Sequence, residues 1–353
     1  MTDSAASGEA ATTAEAPVLF AREGILGRIT LNRPKAMNAL TFDMVTAIAA
    51  KVREWETDPD VETVMIEGAG ERGLCAGGDI VSIYHDIRTD PEAAGRFWAD
   101  EYALNLAIAE YPKPYVAIMD GVVLGGGVGV SAHGSVRVVT ERTKIGMPEV
   151  GIGFVPDVGG TYLLSRAPGE LGTHAALTGG SFSGADAIEL GLADHFVPSD
   201  RLNEFTEALV SMSAPDALLR FATDAPPSAL AAARDWIDEC YDSDEPIDIL
   251  GRLAASSIDD ARATADVIRS KSPTAVAVTL ESLRRAKTTA TLEEVLETEL
   301  RVGMRFVAGT DMAEGIRAQV IDKDRNPRWS PPTLAQVSRA EVDSYFAVAP
   351  QPN

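Results

Sequence analysis

Between residues 18 and 198 the spacing of apolar positions switches repeatedly between two periods. The β-prone stretch 25–31 is closed by Asn32-Arg33-Pro34. Residues 41–56 then follow helical spacing, with Phe42, Val45, Ile48, Ala49 and Val52 on one face and Thr41 at the N-cap. A buried strand over 61–66 ends at Gly68-Ala69-Gly70, and 92–110 reads as a helix. Lys113-Pro114 introduces a strand over 115–119. Gly125-Gly126-Gly127 opens a helix over 128–133, and 136–139 has strand character again. Strand-then-helix repetition of this kind predicts an α/β architecture with helices packed on sheets.

After residue 200 the pattern changes. Helical periodicity runs through 201–213, 215–222, 227–240, 246–255, 257–269, 273–288 and 292–308, punctuated by Ala225-Pro226-Pro227 and Ser272-Pro273. The pattern divides the chain into an α/β core over 17–200 and a helical C-terminal region over 201–347. Residues 1–16, rich in Ala, Thr, Ser and Glu without Lys or Arg, read as a disordered tail, and 348–353 form a short C-terminal tail. The first tail has neither the basic start and apolar core of a secretory signal nor the arginines of a transit peptide, so a cytoplasmic protein is expected.

Charge narrows the partners. A net charge of −22 argues against nucleic acid and anionic membranes, which need a cationic footprint, and no apolar run is long enough to span a bilayer. An anionic small ligand needs only a few local cations, for which Arg33, Lys35, Arg284, Arg285 and Lys287 are available alongside a solvated-surface reading. Cys75 and Cys240 cannot make a disulfide framework, and His85, His133, His174 and His195 form no ligand-spaced pair, so no metal is expected.

Three segments carry chemistry. In Met147-Pro-Glu-Val-Gly-Ile-Gly-Phe-Val-Pro-Asp-Val-Gly-Gly160, Glu149 and Asp157 stand among glycines, prolines and apolar residues. Such surroundings disfavour a charged carboxylate, raise its pKa and make it usable for proton transfer near neutrality; each carboxylate could instead cap a turn. The turns Cys75-Ala76-Gly77-Gly78-Asp79-Ile80 and Leu124-Gly125-Gly126-Gly127-Val128-Gly129 are tight structural turns or, together, two backbone donors converging on one oxygen. The second turn is no dinucleotide fingerprint, because Val130 stands where a third glycine belongs. Ser131 is no nucleophile elbow, because His133 follows it at the glycine position. Cys75, without a nearby histidine in sequence, reads as a small inert core residue.

Taken with Gly27-Arg-Ile-Thr-Leu-Asn-Arg-Pro-Lys-Ala-Met-Asn-Ala-Leu40, these segments resemble the crotonase (enoyl-CoA hydratase/isomerase) superfamily in order and spacing. The 147–160 segment, Ala176-Leu-Thr-Gly179 and Ile321-Asp-Lys-Asp-Arg-Asn-Pro-Arg-Trp329 are similar to its thioester-hydrolase branch, and the likeness runs over about 18–347. The resemblance implies a spiral of ββα units that binds an acyl-CoA, with coenzyme A as part of the substrate and no separate cofactor. It implies oxyanion donors at the N–H groups of Gly78 and Gly126, and catalytic carboxylates at Glu149 and Asp157. It also implies substrate contacts at Glu101, Lys35, Ala36, Ala76, Asp79 and Ile80, and a homo-oligomer of the trimer or hexamer kind. Glu101 reads equally as a solvated helix carboxylate.

One departure separates two chemistries. The hydratases of this superfamily place a glutamate where this chain has Gly129. Addition of water to a double bond would therefore lack one of its two acids. Hydrolysis of a short branched β-hydroxyacyl-CoA thioester is the expectation, with Glu149 as nucleophile or general base and Asp157 orienting water or sharing a proton. An enoyl-CoA hydratase or isomerase reaction, and a catalytically silent CoA-binding protein, are the alternatives.

Overall fold

The computed structural model describes residues 16–347. The expected tails lie outside them except at Ala16, whose carbonyl accepts the Asn32 side-chain amide at 2.9 Å. The strands are β1 (Val18–Glu23), β2 (Leu26–Leu31), β3 (Thr63–Gly68), β4 (Tyr115–Met119), β5 (Val122–Leu124), β6 (Val136–Val139), β7 (Lys144–Gly146), β8 (Phe182–Ser183) and β9 (His195–Phe196). One sheet has the order β1-β2-β3-β4-β6-β9, parallel except for the β1–β2 hairpin. A second has the order β5-β7-β8.

The two sheets grow together. β4 passes through Asp120-Gly121 into β5, and β6 passes into β7. After β3 the chain makes the same step without a full strand, through the bridges Gly73–Gly121 and Cys75–Val123. Each step ends in a turn or helix, so the chain winds as a spiral of ββα units. Because Cys75 pairs with Val123 and Leu124 with Gly146, the segments that follow these positions lie side by side. Gly77-Gly78, Gly125-Gly126 and Pro148-Glu149 are therefore neighbours by register.

The helices that frame this spiral are α1 (Phe42–Thr57), α2 (Ile80–Thr89), α3 (Pro91–Ala109), α4 (Gly126–Gly129) and α5 (Gly160–Leu164). α1 buries Met44, Val45, Ile48, Val52 and Trp55, each worth roughly 1.5–3 kcal/mol when fully withdrawn from water. The Thr41 hydroxyl caps it by accepting the Met44 N–H. Phe42, expected on the buried face, is 45% exposed because it occupies the first turn, ahead of the contact with the sheet. α2 was not anticipated; Asp79 caps it through the Ser82 N–H. The helix expected over 128–133 is only α4, since the Ser131 hydroxyl turns back to the Gly127 carbonyl at 2.6 Å.

Beyond residue 200 the described residues form helices and no further strand, apart from a single bridge of Thr223 to Phe196 in β9. Two expected helices are shorter or divided. The first is Leu202–Ala208 before the chain turns to the cap Ser213, and 227–240 splits into Ala229–Ala232 and Arg234–Tyr241. Asp186 holds the Ser228 hydroxyl and the Leu230 N–H and so fixes the start of the first of these two helices. Helix Pro273–Thr288 is buried on nearly every side, and helix Leu292–Val307 packs Leu296, Val302 and Phe306 into the main core. One hydrophobic cluster runs from Ile29 through Phe154 to Phe346, joining the spiral to the C-terminal helices. No described helix is long and apolar enough to cross a membrane.

Candidate active site

A cavity of about 200 Å³ opens where the three neighbouring segments meet. Ala76, Gly77, Gly78 and Ile80 line one side, Gly125 and Gly126 the next, and Glu101, Glu149 and Asp157 face it among Phe97, Trp98, Phe154 and Met312. The sequence-derived set thus converges from α3, two glycine turns and the 147–160 segment. Lys35 and Ala36 do not line it; they sit exposed on the short helical turn Pro34–Ala36. Asp79 also faces away from it, paired with Arg33 at 2.9 Å and lining a neighbouring groove of about 390 Å³ with Thr41, Phe42 and Asp86.

The glycines are required by what approaches them. A Cβ on Gly125 would lie 2.8 Å from Glu149 Oε1, and one on Gly126 would lie 2.5 Å from Glu101 Oε1 and 3.3 Å from the Gly78 nitrogen. Gly125 also has φ +50° and Gly77 φ +104°, which side chains resist. Among the described residues neither the Gly78 nor the Gly126 N–H is engaged in a hydrogen bond. Two free backbone donors therefore stand close together, beside two carboxylates.

Each carboxylate is strongly perturbed. Burial pushes Glu101 well above the usual range, and the Asp157 charge adds to the push. Glu149 is raised well above it too, first by burial and then by Asp157. Asp157 is pushed up to about 7 by burial, while the Tyr102 hydroxyl, donating to Oδ2 at 2.8 Å, holds it down. Glu101 Oε1 and Glu149 Oε2 are buried without a hydrogen-bond partner. A site with unspent acceptors and unspent N–H donors suits a polar substrate group.

A model described as enoyl-CoA hydratase/isomerase matches residues 26–346. The chain belongs to the enoyl-CoA hydratase/isomerase family. Curated relatives include 3-hydroxyisobutyryl-CoA hydrolase, mitochondrial, of Rattus norvegicus, 40% identical over 95% of this chain and 89% of its own length, and that of Homo sapiens, 38% identical with the same coverage. Among solved structures, a carnitinyl-CoA dehydratase from Mycobacterium thermoresistibile is 55% identical with a TM-score of 0.92, covering 95% of this chain and 97% of its own. An enoyl-CoA hydratase from Rhodobacter sphaeroides 2.4.1 is 41% identical with a TM-score of 0.89, covering 94% and 97%.

In this member of the enoyl-CoA hydratase/isomerase family, the surroundings of Gly129 are closely packed. A Cβ there would lie 2.8 Å from the Val158 Cβ and 2.9 Å from Asn105 Nδ2. Val158 and Asn105 therefore fill the place from which any side chain at position 129 would start. Val158 does so in a left-handed conformation, φ +53°, that a β-branched residue rarely adopts. Tyr102, Asn105 and Glu299 were not singled out by sequence reasoning. Tyr102 and Asn105 share α3 with Glu101, so helical spacing from that residue could have found them. Nothing local to Glu299 marks it, because it reaches the 159–161 segment from 138 to 140 positions away.

Proposed function

We propose that this chain hydrolyses a short branched β-hydroxyacyl-CoA thioester, with 3-hydroxyisobutyryl-CoA as substrate, in valine breakdown. The observation that carries the reading is the filled space at Gly129, beside which Asp157 supplies a carboxylate from a different segment. The names of the curated relatives, matched over almost the whole chain, agree with it.

The thioester carbonyl oxygen sits between the N–H groups of Gly78 and Gly126. Glu149 takes a proton from water, whose oxygen attacks the carbonyl carbon, or attacks that carbon itself to give an anhydride that water then opens. In either route negative charge develops on the carbonyl oxygen and is stabilised by the two backbone donors, each worth about 3 kcal/mol of barrier. Collapse breaks the C–S bond, and the sulfur leaves with a proton supplied from the carboxylates. Asp157, steadied by Tyr102, orients water or shares that proton. Glu101 accepts the substrate's β-hydroxyl, which explains an otherwise orphaned buried oxygen. Bound coenzyme A belongs to the substrate, and no separate cofactor enters.

Hydration or dehydration of an acyl-CoA is the second reading, favoured by the 55% identical structure of a carnitinyl-CoA dehydratase. Purified protein mixed with 3-hydroxyisobutyryl-CoA and a thiol reagent should release free thiol, while crotonyl-CoA keeps its enoyl absorbance. The opposite pattern assigns the second reading. We further infer a cytoplasmic setting and a trimeric or hexameric assembly; light scattering of the full chain tests the latter, with a monomer rejecting it.

A further inference from the structure

The Asp157 carboxylate depends on a backbone that should not hold by itself. Val158, with φ +53°, and Gly159, with φ +76°, are consecutive left-handed residues immediately after it. A non-glycine residue held there costs on the order of 1–3 kcal/mol and persists only where its surroundings over-determine it. Both ends of the Val158–Gly159 peptide are gripped. His133 Nε2 lies 2.7 Å from the Val158 carbonyl oxygen, which only accepts, so this nitrogen carries the proton. The Gly159 N–H of the same peptide donates to Glu299 Oε2 at 2.7 Å. The other oxygen of Glu299 accepts the Thr161 N–H at 3.0 Å and the Thr161 hydroxyl at 2.5 Å.

We propose that Glu299 and His133 are positioning residues for Asp157: by holding one peptide from opposite sides they fix the turn that presents Asp157 to the cavity and Val158 to the space beside Gly129. Glu299 is 3% exposed and comes from helix Leu292–Val307, so the C-terminal region reaches the site through this contact. Neither side chain lines the cavity. Both oxygens of Glu299 act as acceptors, which a carboxyl group allows in either protonation state. An amide does not, because its nitrogen would face an N–H.

The inference rests on the hydrolase reading, and two measurements on the full chain separate their failures. The first is steady-state hydrolysis by Glu299→Gln, by His133→Leu and by the double variant. Displacing a reacting group by about 1 Å can cost on the order of 100-fold, so each variant should lose about 30-fold or more in kcat with KM changed less than about threefold. The double variant should lose far less than the product of the two, because both act on one peptide. Glu299→Asp, with both acceptor oxygens retained, should recover part of the loss. The second is hydrogen–deuterium exchange over residues 157–164, which should quicken in Glu299→Gln whether or not the protein is a hydrolase. A folded Glu299→Gln or His133→Leu variant with wild-type kcat, a loss confined to KM, or unchanged exchange overturns the proposal. Should Glu299→Gln not fold, His133→Leu alone decides by the same kinetic criteria. Wild-type protein that releases no thiol, with exchange quickened as described, overturns the hydrolase reading and leaves the clamp standing.

Discussion

The two walls of the cavity are built in opposite ways. On one side Gly78 and Gly126 present bare N–H groups, and strand register alone brings them together. On the other, Glu149 follows the same register, but Asp157 is a side chain whose placement draws on Tyr102, His133 and Glu299 from other parts of the chain. The glycine wall needs absence, since a Cβ at Gly126 would meet Glu101 Oε1 at 2.5 Å. The carboxylate wall needs support, since Val158 stays left-handed only while it is gripped. Backbone donors can be set by a local turn, whereas a buried acid of raised pKa requires a surrounding structure to keep it there.

The largest expected effect is on the carboxylate wall. Glu149→Gln removes the group that takes the proton or attacks, and should lower kcat by about 10³-fold or more while acyl-CoA still binds with an affinity within about threefold. Stopped-flow binding and turnover on the same preparation check it; near-normal turnover would remove Glu149 from the mechanism. The glycine wall comes next. Gly126→Ala should cost about 100-fold in kcat/KM, because the new methyl displaces Glu101 and the donor together. Gly78→Ala should cost less, because its Cβ would meet only the flexible end of Ile83 at 3.3 Å and Phe97 at 3.5 Å. Equal losses at the two glycines would show that the walls are not built as described.

A smaller effect separates support from chemistry. Tyr102→Phe deprives Asp157 of the donor that holds its pKa down, so the pH at which kcat depends on Asp157 should move upward from about 7, with kcat at the plateau falling only several-fold. An unmoved profile contradicts the role of that hydrogen bond. Stability follows the same sign. Asp157 rises from 3.8 unfolded to about 7 folded, so its contribution is fully present below about pH 4 and is lost as the pH climbs through 7. Glu299, pushed by burial to about 8 against its three donors, extends the loss one step further. Thermal unfolding midpoints should therefore fall between pH 5 and 8.5, and less steeply in Asp157→Asn.

Legibility in the sequence divided along the same line. Strands 115–119 and 136–139, helix α1, the glycine turns and Glu149 were readable because local period, caps and glycines specify them. β7, β8 and β9 were not, since strands of two or three residues carry too little pattern to register. Asp157 was read as an acid in apolar company, but its Tyr102 partner lies 55 positions away and Glu299 supports the same loop across 140. Lys35 and Asp79 show the converse: a plausible charge in a motif can be spent on the surface or on an ion pair with Arg33.

Product analysis in ¹⁸O-labelled water tests the central claim most directly. Incubation with 3-hydroxyisobutyryl-CoA over many turnovers should give free CoA and a free hydroxy acid with ¹⁸O in its carboxylate and none in its β-hydroxyl. An intact CoA thioester, dehydrated or labelled at the β-carbon, would contradict hydrolysis and assign the site to addition or removal of water.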